Sequence, residues 1–215
     1  MPVSRKSTAR SQRDRSVPRT QLRAATKSDR KRLAIIHAAI EIINEKSYAL
    51  ATMSEIAASL DLKDGTLYYY FESKQALAYE CQTHSLTIFE RLLAEADASG
   101  EKGLTKIRLF IEGMLHDSEL NGPQLYFGDY SYLADDQRVL VKAWGDRLTL
   151  TLERFLDEGI SDGSVVPCEP KIVVELLLGM LIWLAKWVPS IEGITFGRLM
   201  DAIDLVSLTG LRKNV

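Results

Sequence analysis

Cysteine is nearly missing from this 215-residue chain: Cys81 and Cys168 lie far apart and outside any CxxC pair. That spacing supports neither a disulfide framework nor a zinc site, and it suits a reducing cytoplasm. Histidine is as thin, with His37, His84 and His116 standing apart and no HExxH or ExxH pair. No GxSxG, P-loop or GxGxxG occurs either, so no catalytic residue, metal ligand or cofactor is expected. The acidic pair Asp135-Asp136 reads as helix-start charge. Long apolar runs are limited to one, Ile172 to Val188, which Glu175 and Lys186 interrupt and Pro189 ends. It approaches the ~20 residues that cross a bilayer. No other segment resembles a span, so a helix buried on all sides is expected there and a membrane partner is not. The start of the chain has no apolar stretch of the kind that heads a secretory signal, and a cytoplasmic location is expected.

What is present is a charge asymmetry hidden in a net charge of −2. Residues 1–33 carry 11 Lys/Arg against 2 acids, and the rest carries 16 against 27. The chain is a basic arm on an acidic body. Residues 1–27, with Arg5, Lys6, Arg10, Arg13, Arg15, Arg19 and Arg23 among Ser, Thr and Gln, read as a disordered arm. Two uses stay open for it: contact with DNA, through phosphates or a minor groove, and a solvated tail with no fixed partner. At 46% apolar residues, the remainder has room for one small unit and one larger helical core.

The small unit centres on Thr52 to Lys74, TMSEIAASLDLKDGTLYYYFESK. Thr52 and Glu55 have capping-box spacing, and Met53, Ile56, Ala57 and Leu60 follow at i, i+3, i+4 and i+7, which marks one apolar helix face. The run Asp61-Leu62-Lys63-Asp64-Gly65 breaks the pattern, with Leu62 left to plug the angle between two helices. In the second helix Leu67 and Phe71 should face inward, while Lys63, Thr66, Tyr69 and Tyr70 project elsewhere. Hydroxyls and a cation on an outward face suit phosphates and base edges. Of the three tyrosines, Tyr68 is the one expected to pack.

The order Ile56-Ala57, Gly65-Thr66-Leu67-Tyr68, Tyr69-Tyr70, Phe71 and Ser73-Lys74 resembles the signature of the TetR family of bacterial transcriptional regulators. With the residues upstream from Leu33, the resemblance covers a helix-turn-helix unit of about 50 residues. It departs at Ser47 and Asp61, where the family often has Gly, and at Lys63, where a Ser cap is usual; Asp64 is expected to take over that cap. The resemblance implies a DNA-binding surface of Thr52, Lys63, Asp64, Gly65, Thr66, Tyr68, Tyr69, Tyr70 and Lys74, with Lys74 on a phosphate. It also implies a fourth helix acting as a lever between the DNA-binding unit and a regulatory core.

Around this unit, Ser28 is the expected cap of a first helix with Leu33, Ile36, Ile40 and Ile43 inward and His37 beside the stripe. Ser73 should cap a long helix running past Leu77, Ile88 and Leu92 to Ala98. A helix from Leu104 to Met114 precedes the break at Asn121-Gly122-Pro123. The aromatics after it, Tyr126, Phe127, Tyr130 and Tyr132, either wall a cavity or fill core. A helix from about Asp135 to Glu158 should set Leu140, Trp144, Leu148 and Phe155 on one side and end at Gly159. By helix position, the candidate effector residues are His84, Phe110, Met114, Tyr126, Phe127, Trp144 and Trp183. The last helix shows one edge of Phe196, Leu199, Ile203 and Val206 and a second of Met200, Leu205 and Leu208. Two edges suggest two neighbours, the chain's own core and a second copy, with Gly179 permitting close approach.

The expected fold is all-α with about nine helices. Residues 1–27 form the arm, 28–74 the helix-turn-helix DNA-binding domain, and 75–215 the effector-binding and dimerisation domain. The expected function is that of a homodimeric repressor, paired through its last two helices and released from a palindromic operator by a small apolar or amphipathic effector, lipid-like or an acyl thioester. One alternative keeps DNA binding but makes the large domain a ligand-independent module that recruits proteins. A helical enzyme is the least supported reading.

Overall fold

The computed structural model describes residues 26–125 and 130–212; residues 1–25 of the basic arm, Tyr126 and Phe127 lie outside them. Among the described residues every regular element is helical, apart from one antiparallel bridge between Val165 and Arg212. Helix α1 is Lys27–Lys46, α2 Met53–Ala58, α3 Asp64–Tyr70 and α4 Lys74–Ala98. Helix α5 is Gly103–Asn121, α6 Asp135–Asp162 and α7 Pro170–Trp187, the last followed by a 3₁₀ turn at Val188–Ser190. Helix α8, Phe196–Ile203, continues through a π-helical stretch, Asp204–Leu208, into the final turn α9, Thr209–Leu211.

Two apolar cores result, and α4 belongs to both. Its Leu77, Ala78 and Cys81 close a core with Ile35, Ile40, Ile56, Leu67 and Phe71. Its Leu86, Phe89, Leu92, Leu93 and Ala96 enter a larger one with α5 to α8. The end of α4 is fixed by charge: Asp97 accepts from Lys106 of α5 at 2.8 Å and from Arg154 of α6 at 2.8 Å, and Lys106 also pairs with Glu158 at 2.7 Å.

Several expectations are corrected by packing. Thr26, not Ser28, caps α1, because its hydroxyl and the Asp29 carboxylate serve each other's backbone N–H at 3.1 and 2.9 Å. The buried face of α1 centres on Ile35, Ala39, Ile40 and Ile43, which leaves Leu33 on the rim and 40% exposed. Helix α6 does not stop at Gly159 but continues to Asp162, with Gly163 in the left-handed region behind it. Gly159 is there for contact: a Cβ on it would strike Val165, and one on Gly103 would overlap the backbone of Gly159 and Phe155. Leu140 faces away from the core, 60% exposed, so it does not share a side with Leu148 and Phe155. Helix α7 is not buried all round either, since Ile172, Leu176 and Trp183 are more than half exposed and Gly179 meets nothing.

The last helix is regrouped in the same way. Leu199, Met200, Ile203 and Leu208 are buried, while Leu205 and Val206 are about three-quarters exposed. The π-helical stretch is the cause: its wider turn brings residues five apart, Ile203 and Leu208, onto one face.

Candidate DNA-binding surface and effector cavity

Thr52 starts α2 with the expected reciprocal cap, its Oγ1 accepting from Glu55 N–H at 3.2 Å and Glu55 accepting from Thr52 N–H at 3.1 Å. The turn after α2 passes through Asp61, whose φ of +54° is left-handed, with Leu62 N–H returned to the Ala57 carbonyl at 2.9 Å. Ser47, at the end of α1, has φ +80° and ψ 160°. These two non-glycine residues with positive φ are the positions where the TetR-like pattern often carries Gly. Lys63 precedes α3 without a side-chain cap. Asp64 does not take over that role; it lies in the first turn, where its charge suits the helix dipole, and accepts from Ser54 Oγ of α2.

Helix α3 turns Leu67 and Phe71 inward, 0% and 3% exposed, and presents the opposite side to solvent. Lys63, Asp64 and Gly65 are exposed at its start, and Thr66 is half-buried. Tyr69 is 81% exposed and Tyr68 52%. Tyr70 is the tyrosine that packs against the small core, edge-on to Tyr69, so the expectation that Tyr68 packs is corrected. A helix of seven residues can bury only one face, and Tyr70 flanks Leu67 on it.

Lys74 is spent within the protein. Its Nζ donates to the Tyr48 and Ala51 carbonyls, each at 2.9 Å, and lies 4.3 Å from the Tyr48 ring centroid. It pins the α1–α2 connection to the start of α4. Tyr48 also stacks on Tyr132 at 3.9 Å, while Gln82 donates to the Tyr132 hydroxyl and Gln75 to its carbonyl. A buried polar seam continues from there. Ser85 receives Leu125 N–H at 2.8 Å, Gln124 donates to Asp117 at 2.9 Å, and Asn44 donates to the Gln124 carbonyl at 3.0 Å. Polar Gln82 and Ser85 within the apolar stripe of α4 are the sequence signal of this seam.

The cavity lies beyond it, about 280 Å³, near the lower limit of common small-molecule pockets. Phe89 and Leu93 of α4, Phe110 and Met114 of α5, and Leu148 and Leu152 of α6 form its apolar base. Helix α7 adds Leu178 and Leu181, and Tyr130, Lys142, Asp146 and Glu175 stand among the lining as its polar groups. Burial raises the Tyr130 phenol's pKa, so the hydroxyl stays neutral. Of the sequence-derived effector residues, the structure brings Phe110 and Met114 together here. His84 lies elsewhere, 5.4 Å from His37 between α1 and α4, where burial lowers both imidazole pKa values. At about 100° per residue it points roughly 140° away from Phe89. Trp144 is half-buried outside the lining, and Trp183 stands on the open side of α7. Tyr126 and Phe127 lie outside the described residues.

A family model described as bacterial regulatory proteins, tetR family, matches residues 35–81. Another, described as tetracyclin repressor-like, C-terminal domain, matches residues 100–190. The HTH-type transcriptional regulator BetI of Pseudomonas aeruginosa (strain LESB58) is 26% identical over 97 residues, 44% of this chain and 49% of BetI. The chain thus spans about half the length of that relative. YhgD of Bacillus subtilis (strain 168), an uncharacterized HTH-type transcriptional regulator, is 23% identical over 197 residues, 86% of this chain and 98% of YhgD. Among solved structures, the ketosteroid transcriptional regulator KstR2 of Mycobacterium tuberculosis superposes with a TM-score of 0.74 at 17% identity, covering 89% of this chain and 100% of KstR2. AibR in complex with isovaleryl coenzyme A and operator DNA gives 0.64 at 18% identity, covering 82% and 98%. Likeness at such identities shows the fold alone.

Proposed function

Because the chain belongs to the TetR family of bacterial transcriptional regulators, we propose that it is a homodimeric repressor whose two α3 helices read a palindromic operator. An apolar or amphipathic small molecule entering the cavity between α4 and α7 releases it. The observation that carries this reading is α4 itself: one 25-residue helix holds Leu77 and Cys81 in the DNA-binding core and Phe89 and Leu93 in the cavity wall. A guest that displaces Phe89 and Leu93 tilts α4 and with it α3. Two such helices must stay about 34 to 36 Å apart to enter one face of a duplex, so a small tilt breaks the match.

Two further observations support it. Ile172, Leu176 and Trp183 with Gly179 form an apolar strip on α7, and Leu205 and Val206 extend the exposed apolar surface on the last helix. A strip of this kind suits a self-complementary two-fold contact. AibR, of the same fold, is seen with isovaleryl coenzyme A and operator DNA together, which supports the class of effector and not its release of DNA. An acyl thioester or other lipid-like molecule, its tail on the apolar base and its polar part at Tyr130 and Lys142, is accordingly the effector class proposed here. No described helix is long and apolar enough to cross a membrane, and no membrane role is proposed.

The test is fluorescence anisotropy on a labelled duplex taken from the DNA upstream of the protein's own coding region, with a panel of acyl thioesters and fatty acids added to the complex. Saturable binding, reversed by one member of the panel, supports the reading. Binding that no apolar compound reverses, with Leu152→Trp in the cavity equally inert, removes the effector part of it.

A further inference from the structure

The cavity between α4 and α7 is closed at one end and open at the other. Phe89, Phe110, Met114 and Leu152 at its base are buried, whereas Lys142, Asp146, Glu175 and Gly179, which also line it, are exposed. The exposed four come from α6 and α7 alone. The mouth is therefore the groove between those two helices, with two carboxylates and one ammonium around it.

Glycine marks the same place. Four glycines stand in the interiors of α5, α6 and α7, and two of them are there for contact: a Cβ on Gly113 would strike Leu92, and one on Gly159 would strike Val165. The other two, Gly145 of α6 and Gly179 of α7, would meet nothing within 4 Å, and neither has a positive φ. Glycine weakens a helix interior relative to almost every other residue, so neither packing nor backbone geometry accounts for this pair. What they share is the lining of one cavity, one from each side of its mouth. Gly145 lies three residues from exposed Lys142 and three from buried Leu148, and Gly179 lies four from exposed Glu175 and three from half-buried Ile182. Each thus sits where the lining passes from solvent to interior. At about 100° per residue, the apolar strip of Ile172, Leu176 and Trp183 falls to one side of Gly179 and Glu175 and Ile182 to the other, so the mouth borders that strip.

We infer that Gly145 and Gly179 set the width of this mouth and select an effector with one hydrocarbon chain on the apolar base and a headgroup that stays outside, at Lys142, Asp146 and Glu175. This rests on the reading of the cavity as an effector site. The volume requires such a division: at about 280 Å³ the cavity takes a medium-length chain and excludes a headgroup the size of coenzyme A. A charged headgroup also keeps its hydration at the exposed mouth, where burial would cost it. The chain then has to cross the mouth, and any side chain at position 145 or 179 would stand in its way.

Isothermal titration calorimetry of the whole chain with two probes tests this: octanoyl coenzyme A, whose headgroup cannot enter, and 1-octanol, which the cavity can enclose. Gly145→Leu and Gly179→Leu should each weaken octanoyl coenzyme A at least about tenfold and 1-octanol less than about threefold. Leu152→Trp, which fills the base, should weaken both probes at least about tenfold. Thermal unfolding of the glycine variants should match or exceed wild type, since leucine favours a helix and has open space there. Glycine variants that bind octanoyl coenzyme A as wild type does overturn the inference. So does an equal loss of both probes, which would make the glycines part of the base, and so does a lowered melt, which would assign them to the fold. Gly145 lies off the α7 strip, so an effect of Gly179→Leu with Gly145→Leu inert would belong to the two-fold contact and overturn the inference as well. Wild type that binds 1-octanol but not octanoyl coenzyme A overturns the inference and leaves the effector reading standing; wild type that binds neither overturns the effector reading itself.

Discussion

Ile35, Ala39, Ile40, Ile56 and Leu67 are wholly closed off in the unit formed by α1 to α3, whereas the body around α5 to α8 keeps a 280 Å³ cavity and an open apolar strip on α7. Among the described residues the body also holds two buried polar atoms without a hydrogen-bond partner, Trp144 Nε1 and an Asp204 carboxylate oxygen, and α4 holds two more, Gln82 Oε1 and His84 Nε2. The interior of the small unit is closed. The body has vacancies of two kinds, one the size of a small molecule and one the shape of a helix face. On the proposed function, a surface that must match a rigid duplex gains from close packing, and a sensor would gain from packing that a guest or a second copy completes.

The largest expected effect tests the completeness of the small unit. Leu67→Ala should lower stability by about 2 to 5 kcal/mol in thermal unfolding, since nothing nearby can refill the space. Tyr69→Ala, on the exposed side of the same helix, should leave the melt alone and weaken specific DNA binding by about 1 to 3 kcal/mol. A melt lowered equally by both would end the distinction between the inner and outer sides of α3. Trp183→Glu addresses the open strip next: sedimentation should show monomers in place of dimers, and operator affinity should drop at least about tenfold. Unchanged dimers would place the two-fold contact on another surface.

A smaller effect follows from the charges that fix the end of α4. Hydrogen bonds from Arg154 and Lys106 hold the Asp97 carboxyl down to about 2. Its folded value lies below the unfolded one, so the contribution is fully present above about pH 4 and is lost as pH falls towards 2. Asp97→Asn should therefore lower the melt at neutral pH and converge with wild type in acid. A gap that persists at low pH would assign the effect to packing. The smallest change expected is Ser47→Gly, which relieves a backbone geometry that glycine adopts freely and should stabilise by about 1 kcal/mol in denaturant titration.

Local chemistry made much of the small unit legible. The Thr52–Glu55 cap, the Ser73 cap and the inward pair Leu67 and Phe71 depend on neighbours in sequence, and the structure places them as read. Where the outcome depends on another element, neighbours in sequence do not determine it. Gly159 looks like a helix end until Gly103 is seen lying on it. In a run as apolar as Leu176 to Leu184, nothing local says which side lacks a neighbour, and Trp183, expected inward, is 63% exposed. Phe110 and Met114 could be placed because the apolar face of α5 is narrow. His84 could not, because α4 changes neighbours midway between one core and the other.

The contact between Gly103 and Gly159 has a mechanical consequence. Backbone rests on backbone there, and Asp162 and Ser164 accept from the first N–H groups of α5, so the two helix ends form a fixed point. From Gly159 back to Asp135 is about 36 Å of helix, so each degree of rotation about that point displaces the far end by about 0.6 Å. That end leads directly to Leu133 and Tyr132, and Tyr132 lies flat on Tyr48. If a guest in the cavity rotated α6 by a few degrees about that point, the end of α6 beside Tyr132 would move by ångströms towards or away from Tyr48.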